Sequence, residues 1–146
     1  MIALDTNILV HAHRLDSAWH GVARPLVVEL AQGVQAWAIP WPCLHEFFAV
    51  VTHPRIWKVP TPPSVALDQI DAWMSSPKLV LLSEEAGYWP HLRSLVSSAK
   101  LTGGAVHDAR IAALCLHHRV KELWTADRDF SRFPEVAIRN PLVGSA

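Results

Sequence analysis

The sequence predicts an α/β fold with a mostly parallel central sheet of about four or five strands. Short apolar runs alternate along the chain with longer segments in which apolar residues recur at helical spacing. This alternation is typical of strand–helix–strand units, whose strands run parallel. The chain has 146 residues, 51% hydrophobic and 18% charged, without an internal repeat or a low-complexity segment. We therefore predict a single globular domain over residues 1–146.

The first half of the chain is predicted to contain two strands and three helices. Residues 2–4 form a short apolar run that breaks at Asp5, which fits a buried strand whose carboxyl end leads into a helix. A second helical pattern stops at Gly33. In order, the elements are a strand at 2–4, a helix from near Ile8, a helix over 17–32, a strand over 36–39 and a helix opened by Pro40 and Pro42 and ended by Pro54.

The second half is predicted to contain three helices and two or three strands. Ser64 is a suitable N-cap, and the acids Glu84 and Glu85 suit the positive end of a helix dipole. A glycine pair at 103–104 separates the last two helices. In order, the elements are a helix from Ser64 to about Ser76, a strand over 79–82, helices over 84–100 and 106–118, a strand over 122–125 and a fifth strand over 136–138.

Cysteine usage and the N-terminal residues favour a cytoplasmic protein. Cys43 and Cys115 lie far apart in apolar contexts without CxxC spacing, so we predict buried thiols in a reducing compartment. The N-terminus has neither the basic segment nor the long apolar run of a signal peptide. No window reaches about 18 apolar residues, so we expect no membrane association.

Four acidic residues are predicted to form a metal-binding cleft. Asp5 and Asp127 each follow a strand, and the carboxyl ends of parallel strands form the ligand-binding edge of such sheets. Glu46 and Asp108 interrupt or border apolar helix faces, where a carboxylate without a neutralising cation would be costly. Carboxylate ligands without a matching buried base favour hard divalent ions, so we expect Mg²⁺ or Mn²⁺ and not Zn²⁺.

The predicted chemistry is hydrolysis of a phosphate ester. One ion lowers the pKa of a water that attacks the phosphate, and a second ion, where present, stabilises the leaving oxygen. Asn7 and Thr125 each lie two residues from one of the acids and are predicted to orient a ligand or water. Because no Ser, Cys or Lys belongs to a convincing catalytic triad, we expect no covalent intermediate.

Histidine-based metal catalysis is the main alternative among metal enzymes, and the predicted fold disfavours it. His11 and His13 form an HxH motif typical of binuclear zinc hydrolases, but those enzymes need a barrel of about 250 residues. His107 and the acid after it imitate the HD pair of all-helical phosphohydrolases, whereas this chain has several strands. We interpret His107 as a helix cap, although it could tune the site, and His117 and His118 as a solvated helix end.

Four stretches, far apart in the chain, carry the most specific pattern. They are Ile2-Ala3-Leu4-Asp5-Thr6-Asn7-Ile8-Leu9, Leu44-His45-Glu46-Phe47, Asp108-Ala109-Arg110-Ile111-Ala112-Ala113-Leu114 and Thr125-Ala126-Asp127-Arg128-Asp129-Phe130. Together and in this order they resemble the PIN-domain ribonucleases, and within that family the VapC-type toxins of bacterial toxin–antitoxin pairs. The resemblance spans nearly the whole chain.

The resemblance implies a three-layer α/β/α sandwich and an endoribonuclease that uses one or two Mg²⁺ or Mn²⁺ ions. Its acidic site would be carried by Asp5, Glu46, Asp108 and Asp127, with Asp5 and Asp108 holding the principal ion. Asp129 could replace or assist Asp127. The family's substrates are structured RNAs, often tRNA or ribosomal RNA, and the expected products carry a 5′-phosphate and a 3′-hydroxyl.

The resemblance also implies two protein partners. The first is a second copy of the chain in a homodimer. The other is a small VapB-like antitoxin whose tail enters the catalytic groove. The alternative is a catalytically silent PIN-like module that only binds a protein partner, and the presence of all four acids argues against it.

RNA contacts outside the metal site are predicted in the proline-rich loop after the helix that carries Glu46. Arg55 and Lys58 could pair with phosphate and Trp57 could stack a base, or Trp57 could simply pack the loop onto the body. Thirteen basic residues balance thirteen acids, so there is no basic excess. Assigning four acids to metal leaves nine against thirteen bases, and this net charge of +4 suits an RNA partner.

Overall fold

A parallel sheet of five strands forms the centre of the computed structural model, which describes residues 1–144. The strands are β1 (Ile2–Leu4), β2 (Trp37–Pro40), β3 (Leu79–Leu82), β4 (Glu122–Trp124) and β5 (Ile138–Arg139). Their spatial order is β3-β2-β1-β4-β5, and each neighbouring pair is parallel. The predicted α/β fold with a parallel central sheet is therefore confirmed.

Six helices connect the strands within residues 1–144. They are α1 (Thr6–His13), α2 (His20–Gln32), α3 (Trp41–Val51), α4 (Pro63–Met74), α5 (Tyr88–Ser98) and α6 (Val106–His117). Short 3-10 turns at Gly103–Ala105 and Arg128–Arg132 precede α6 and β5. Helix α1 packs against α2 and α3, and α5 packs against α6.

Both faces of the sheet are covered. Trp37, Ala38 and Ile39 of β2 are all fully buried, although successive side chains on a strand point to opposite faces. On the α3 side, Phe47 packs edge-on against Trp73 of α4, with 4.8 Å between the ring centroids. Burial on both faces gives the three layers of the expected α/β/α sandwich.

Helix α5 begins four residues later than predicted. Gly87, its N-cap, has a φ of 92°, and this left-handed conformation cannot continue a right-handed helix. Glu84 and Glu85 therefore lie in the preceding loop instead of the first helical turn. There, Glu84 forms an ion pair with Arg110 of α6.

Smaller shifts occur at other boundaries. Helix α2 begins at His20 because the Ser17 hydroxyl accepts a hydrogen bond from the backbone N–H of Trp19 in a turn before the helix. Helix α4 begins at Pro63, whose fixed φ suits the first helical position, so Ser64 lies inside the helix and is not its cap. Further shifts include a start of α1 at Thr6, a range of Trp37–Pro40 for β2 and a range of Ile138–Arg139 for β5, and α4, α5, α6 and β4 each end one or two residues earlier than predicted.

The two cysteines are buried free thiols, as predicted. Burial is the main cause that raises the pKa of the Cys115 thiol to about 12. Across residues 1–144, none of the helices combines the length and hydropathy needed to cross a membrane.

Candidate metal centre

The four acids singled out from the sequence line one cleft of about 210 Å³. Asp5 follows β1 and Asp127 lies beyond β4, two strands that are neighbours in the sheet. Glu46 reaches the cleft from α3 and Asp108 from the first turn of α6. The chain therefore brings together carboxylates from four separate elements.

Asp5 is the buried member of the set, with 5% of its surface exposed. It caps the N-terminus of α1, where Oδ1 accepts the Thr6 backbone N–H at 2.7 Å. Its Oδ2 accepts from the Thr125 hydroxyl at 2.7 Å and from the Asn7 amide at 3.1 Å. Burial raises the pKa of Asp5 and outweighs these hydrogen bonds, which favour the charged form.

Asn7 and Thr125 join the start of α1 to the end of β4. The Asn7 amide donates to the Thr125 hydroxyl at 3.1 Å, and its carbonyl oxygen accepts the Ala126 backbone N–H at 2.9 Å. The Thr125 hydroxyl also accepts the Asp127 backbone N–H at 3.0 Å. The structure thus places both predicted orienting residues directly against the acids, and the Thr125 hydroxyl donates one hydrogen bond and accepts two.

Glu46 is joined to Asp5 through a residue that the sequence analysis did not single out. The Thr6 hydroxyl donates to Glu46 Oε2 at 3.1 Å, while the backbone N–H of the same threonine donates to Asp5. The charge of Glu46 contributes to the raised pKa of Asp5. The signal in the sequence was the Asp5-Thr6 pair at a helix start, where hydroxyl and backbone donors converge.

The second acidic group consists of Asp108, Asp127 and Asp129. Each offers a carboxylate oxygen, and these three oxygens lie within 4.8 Å of one another. Burial, followed by the charge of Asp127, raises the pKa of Asp108. Asp5 and Glu46 do not belong to this close group, so within the described residues the cleft contains two neighbouring sets of carboxylates.

Asp127 and Asp129 occupy different positions relative to the cleft. Asp127 lines it, and its Oδ1 accepts the Asp129 backbone N–H at 2.8 Å to cap the 3-10 turn at Arg128–Arg132. The Asp129 side chain is 71% exposed at the rim. The geometry favours Asp127 as the fourth acid and leaves Asp129 as a neighbour that adds negative charge.

Arg132, at the end of the 3-10 turn that follows Asp127, contacts two of the acids. Its Nη2 lies 3.1 Å from Asp108 Oδ2 and 3.9 Å from Asp129 Oδ2. The positive charge of Arg132 lowers the pKa of Asp108, against the effect of burial. The three-residue spacing from Asp129 was a sequence signal, but the contact with Asp108 depends on the tertiary fold.

Trp57 is held against the protein body. Its indole N–H donates to the Val50 carbonyl at 2.7 Å, and the Arg14 guanidinium lies 4.1 Å from the ring centroid. One face of the indole is thus already covered. Arg55 and Lys58 are exposed, and none of the three predicted RNA-contact residues lines the acidic cleft.

The histidines take positions that partly correct the sequence interpretation. His107 lies inside α6 and is exposed, whereas Ala105 is the N-cap, so His107 is not the helix cap. His11 pairs with the Ser17 hydroxyl at 2.6 Å. His117 and His118 are half-buried and contact the loop before α5, so they are not simply a solvated helix end.

The residues of the cleft suit a hard divalent cation. Four of the side chains lining it are carboxylates, the donors that Mg²⁺ and Mn²⁺ prefer, and the one imidazole among them, that of His11, pairs with the Ser17 hydroxyl. Within residues 1–144, Asp5 has no salt bridge to a lysine or arginine, so its buried charge lacks a protein counter-ion. Asp5, Glu46, Asp108 and Asp127 are the residues that would hold such an ion.

Comparisons with known proteins agree with this architecture. The family model for the PIN domain matches residues 2–136. Ribonuclease VapC48 of Mycobacterium tuberculosis is 35% identical over 140 residues, which cover 96% of this chain and 97% of that protein.

Solved structures show the same fold at low sequence identity. The crystal structure of M. tuberculosis VapC20, a sarcin-ricin loop cleaving toxin, aligns with a TM-score of 0.67 at 14% identity, covering 90% of this chain and 93% of that one. DNA-bound VapBC from Salmonella typhimurium aligns with a TM-score of 0.64 at 15% identity, covering 94% and 96%. The matched family model and the VapC relative together establish that this chain belongs to the PIN-domain family, in its VapC branch.

Proposed function

We propose that the chain is a Mg²⁺- or Mn²⁺-dependent endoribonuclease and the toxin of a toxin–antitoxin pair. The observation that carries the proposal is the single cleft lined by Asp5, Glu46, Asp108 and Asp127. The similarity to a protein named as a VapC ribonuclease supports the choice of RNA as substrate. We expect the protein to act in the cytoplasm, where structured RNA is available.

In this proposal, Asp5 and Asp108 hold the principal ion, and Glu46 and Asp127 complete the site directly or through water, with one or two ions bound. The bound metal supplies a water nucleophile of lowered pKa and stabilises the charge that develops on the scissile phosphate. Cleavage of the bond to the 3′ oxygen leaves a 3′-hydroxyl and a 5′-phosphate.

The hydrogen bonds around Asp5 prepare the site before substrate arrives. Thr6, Asn7 and Thr125 all donate hydrogen bonds to this carboxylate. Its orientation is therefore fixed before a cation binds. Thr6 also holds Glu46. The carboxylates of Asp5 and Glu46 are therefore already positioned when a metal ion binds.

We propose structured RNA as the substrate class, with tRNA or ribosomal RNA as the candidate targets. The net charge of +4 outside the four acids favours a polyanion once a cation fills the cleft. We propose that Arg55 and Lys58 contact phosphate and that a base stacks on the ring face of Trp57 not covered by Arg14. The description of VapC20 as a sarcin-ricin loop cleaving toxin supports structured RNA as the class.

We further propose a homodimer and a small VapB-like antitoxin whose tail enters the cleft. The similar VapBC structure from S. typhimurium supports an antitoxin partner. Exposed apolar side chains around one groove, Leu15 at 84%, Val59 at 72% and Val65 at 46%, are typical of a surface that a protein partner covers.

Cleavage of a labelled, structured RNA by the purified chain tests the proposal. We expect Mg²⁺- or Mn²⁺-dependent cleavage that EDTA abolishes, and a loss of at least about 100-fold in the Asp5→Asn and Asp108→Asn variants. Asp68→Asn is the matched control, because Asp68 is an exposed acid on α4 outside the cleft. Mapping new 5′ ends in cells that express wild type or Asp5→Asn identifies the target.

Two results would contradict the proposal. Cleavage that continues in EDTA, or that both substitutions leave unchanged, would exclude the acidic cleft as the catalytic site. Binding of an antitoxin without cleavage of any RNA in cells would favour the silent interaction module.

A further inference from the structure

We propose a second metal site, selective for a borderline transition metal such as Zn²⁺, between the loop before α5 and the carboxyl end of α6. Its ligands are Glu85, His117 and His118. Each of these residues offers one ligand atom, and the three atoms lie within 4.8 Å of one another. None of the three residues lines the acidic cleft, so this site is independent of the proposed ribonuclease centre.

The separation of Glu85 and His117 already matches metal coordination. His117 Nε2 lies 3.5 Å from Glu85 Oε2, and neighbouring ligands of a tetrahedral zinc ion stand about 3.3 Å apart. The Glu85 side chain is 59% exposed and that of His117 is 16% exposed. An ion can therefore reach the pair from solvent while the imidazole remains held by the protein.

The hydrogen bond of His118 prepares that ring as a ligand. Its Nε2 lies 2.9 Å from the Ser83 carbonyl oxygen, which can only accept, so Nε2 carries the proton of the neutral ring. Nδ1 then has the free lone pair. A histidine that donates its other ring N–H to a backbone carbonyl is the usual arrangement in protein metal sites.

The negative electrostatic surroundings of the two histidines also favour the binding of a cation. His117 is the last residue of α6, where the helix dipole is negative, and His118 is the C-cap. His91 of α5 packs its ring against His117, with 5.9 Å between centroids, and adds a further imidazole beside the site. Glu85 adds the negative charge.

Gly87 lets the loop approach this cluster closely. A Cβ at this position would stand 3.4 Å from Cε1 of His117, and the residue has a φ of 92°. Two nitrogen donors and one carboxylate suit Zn²⁺, Co²⁺ or Ni²⁺ much better than Mg²⁺, whereas the carboxylates of the acidic cleft also suit Mg²⁺, so that excess Mg²⁺ competes for the cleft and not for the histidine site. The two sites can therefore be distinguished by the identity of the metal.

Two titrations of the full, tag-free chain test the proposal. Calorimetry measures the binding of Zn²⁺ in the presence of excess Mg²⁺. Visible absorption measures the binding of Co²⁺. We expect one equivalent of Zn²⁺ to bind, Co²⁺ to give the absorption bands of low coordination number, and thermal stability to rise. His117→Gln, His118→Gln and the exposed-site variant Glu85→Gln should each weaken Zn²⁺ binding at least about tenfold.

His53→Gln is the matched control, because His53 is an exposed histidine in the loop after α3. It should bind Zn²⁺ like wild type. Circular dichroism without metal checks that each variant is folded, and Glu85→Gln keeps the test valid if a histidine variant is not. Absence of Zn²⁺ binding by wild type, or equal binding by wild type and the folded site variants, would overturn the proposal. Neither readout depends on RNA cleavage, so this proposal can fail while the ribonuclease proposal stands.

Discussion

Arg132 forms an ion pair with Asp108 at the edge of the acidic cleft, with 3.1 Å between Nη2 and Oδ2. The same nitrogen lies 3.9 Å from Asp129 Oδ2. Asp108 is a proposed metal ligand, so a cation that binds there has to compete with a guanidinium for the same oxygen. The arginine also reduces the repulsion among the neighbouring acids.

Arg132→Ala is expected to strengthen Mn²⁺ binding by about two- to fivefold. The side chains of this pair are 36% and 30% exposed, and such ion pairs contribute less than about 1 kcal/mol. The pKa of Asp108 should rise further in the variant, because Arg132 lowers it in wild type. Calorimetry and NMR titration of the metal-free protein measure the two effects. Arg128→Ala, an exposed neighbour, is the control; weaker Mn²⁺ binding in Arg132→Ala would mean that Arg132 positions Asp108 for the ion.

The contribution of Asp5 and Asp108 to the stability of the metal-free protein is expected to fall as the pH rises from acidic values, whereas the lowered pKa values of Asp16 and Glu84 act in the opposite direction. Burial raises the pKa of Asp5 and of Asp108 above the ordinary value of 3.8. A carboxyl with a raised pKa binds its proton more tightly when folded, so its contribution to stability is complete below pH 3.8 and is lost as the pH passes the folded pKa.

Urea unfolding in EDTA at a series of pH values measures this loss. The curve for Asp5→Asn should fall less steeply than that of wild type, because one of the two titrating carboxyls is absent. Added Mn²⁺ should restore the stability of wild type at neutral pH. Parallel curves for the two proteins would mean that Asp5 titrates alike in the folded and unfolded chain.

Thr125→Val is expected to destabilise the protein by about 1–3 kcal/mol, because it removes a buried hydroxyl and leaves its partners unsatisfied. Thr125 is 1% exposed and contacts Asp5, Asn7 and the backbone of Asp127. Metal affinity should fall as well, and Thr125→Ser should recover most of both properties. Urea unfolding and Mn²⁺ calorimetry provide the measurements, with the exposed Thr102→Val as control. Unchanged metal affinity would show that Asp5 is held sufficiently by its other donors.

Asp127→Asn and Asp129→Asn should have unequal effects on metal binding. Asp127 lines the cleft, whereas Asp129 is largely exposed at its rim. We expect Asp127→Asn to weaken Mn²⁺ binding at least about tenfold and Asp129→Asn by less than about threefold. Calorimetry on both variants decides the fourth ligand, and the opposite order would assign that position to Asp129.

Trp57→Phe distinguishes a structural role of Trp57, which packs the loop onto the protein body, from a role in stacking an RNA base. The variant keeps an aromatic ring under Arg14 but loses the hydrogen bond to the Val50 carbonyl, so stability should fall by about 1 kcal/mol. If a base stacks on the ring, Trp57→Ala should raise the KM for RNA well beyond the change in Trp57→Phe. Equal KM values for the two folded variants would leave Trp57 with a purely structural role.

The acidic cleft was predictable because parallel topology constrains it. Asp5 and Asp127 both follow strands, and parallel strands end at one edge, so their proximity required only the right strand assignments. The contact of Arg132 with Asp108 was not predictable, since it depends on how the 3-10 turn folds back towards α6.

Two sequence signals in the loop before α5 predict different starts for this helix. The acids at 84 and 85 favour a helix start, but the left-handed φ of Gly87 excludes one. Because the helix begins later, Ser83 and Glu85 remain free to contact His118 and His117. Sequence periodicity and composition do not predict such contacts between distant segments.

The position of β1 between β2 and β4 has a consequence for biosynthesis. Asp5 is translated early, but Thr125, its hydrogen-bond donor, and Asp127 are translated only after most of the chain has left the peptidyl-transferase centre. A nascent chain that ends before β4 therefore has an incomplete set of acids, and its central strand lacks one neighbour. The acidic cleft is therefore assembled only when synthesis of the chain is nearly finished.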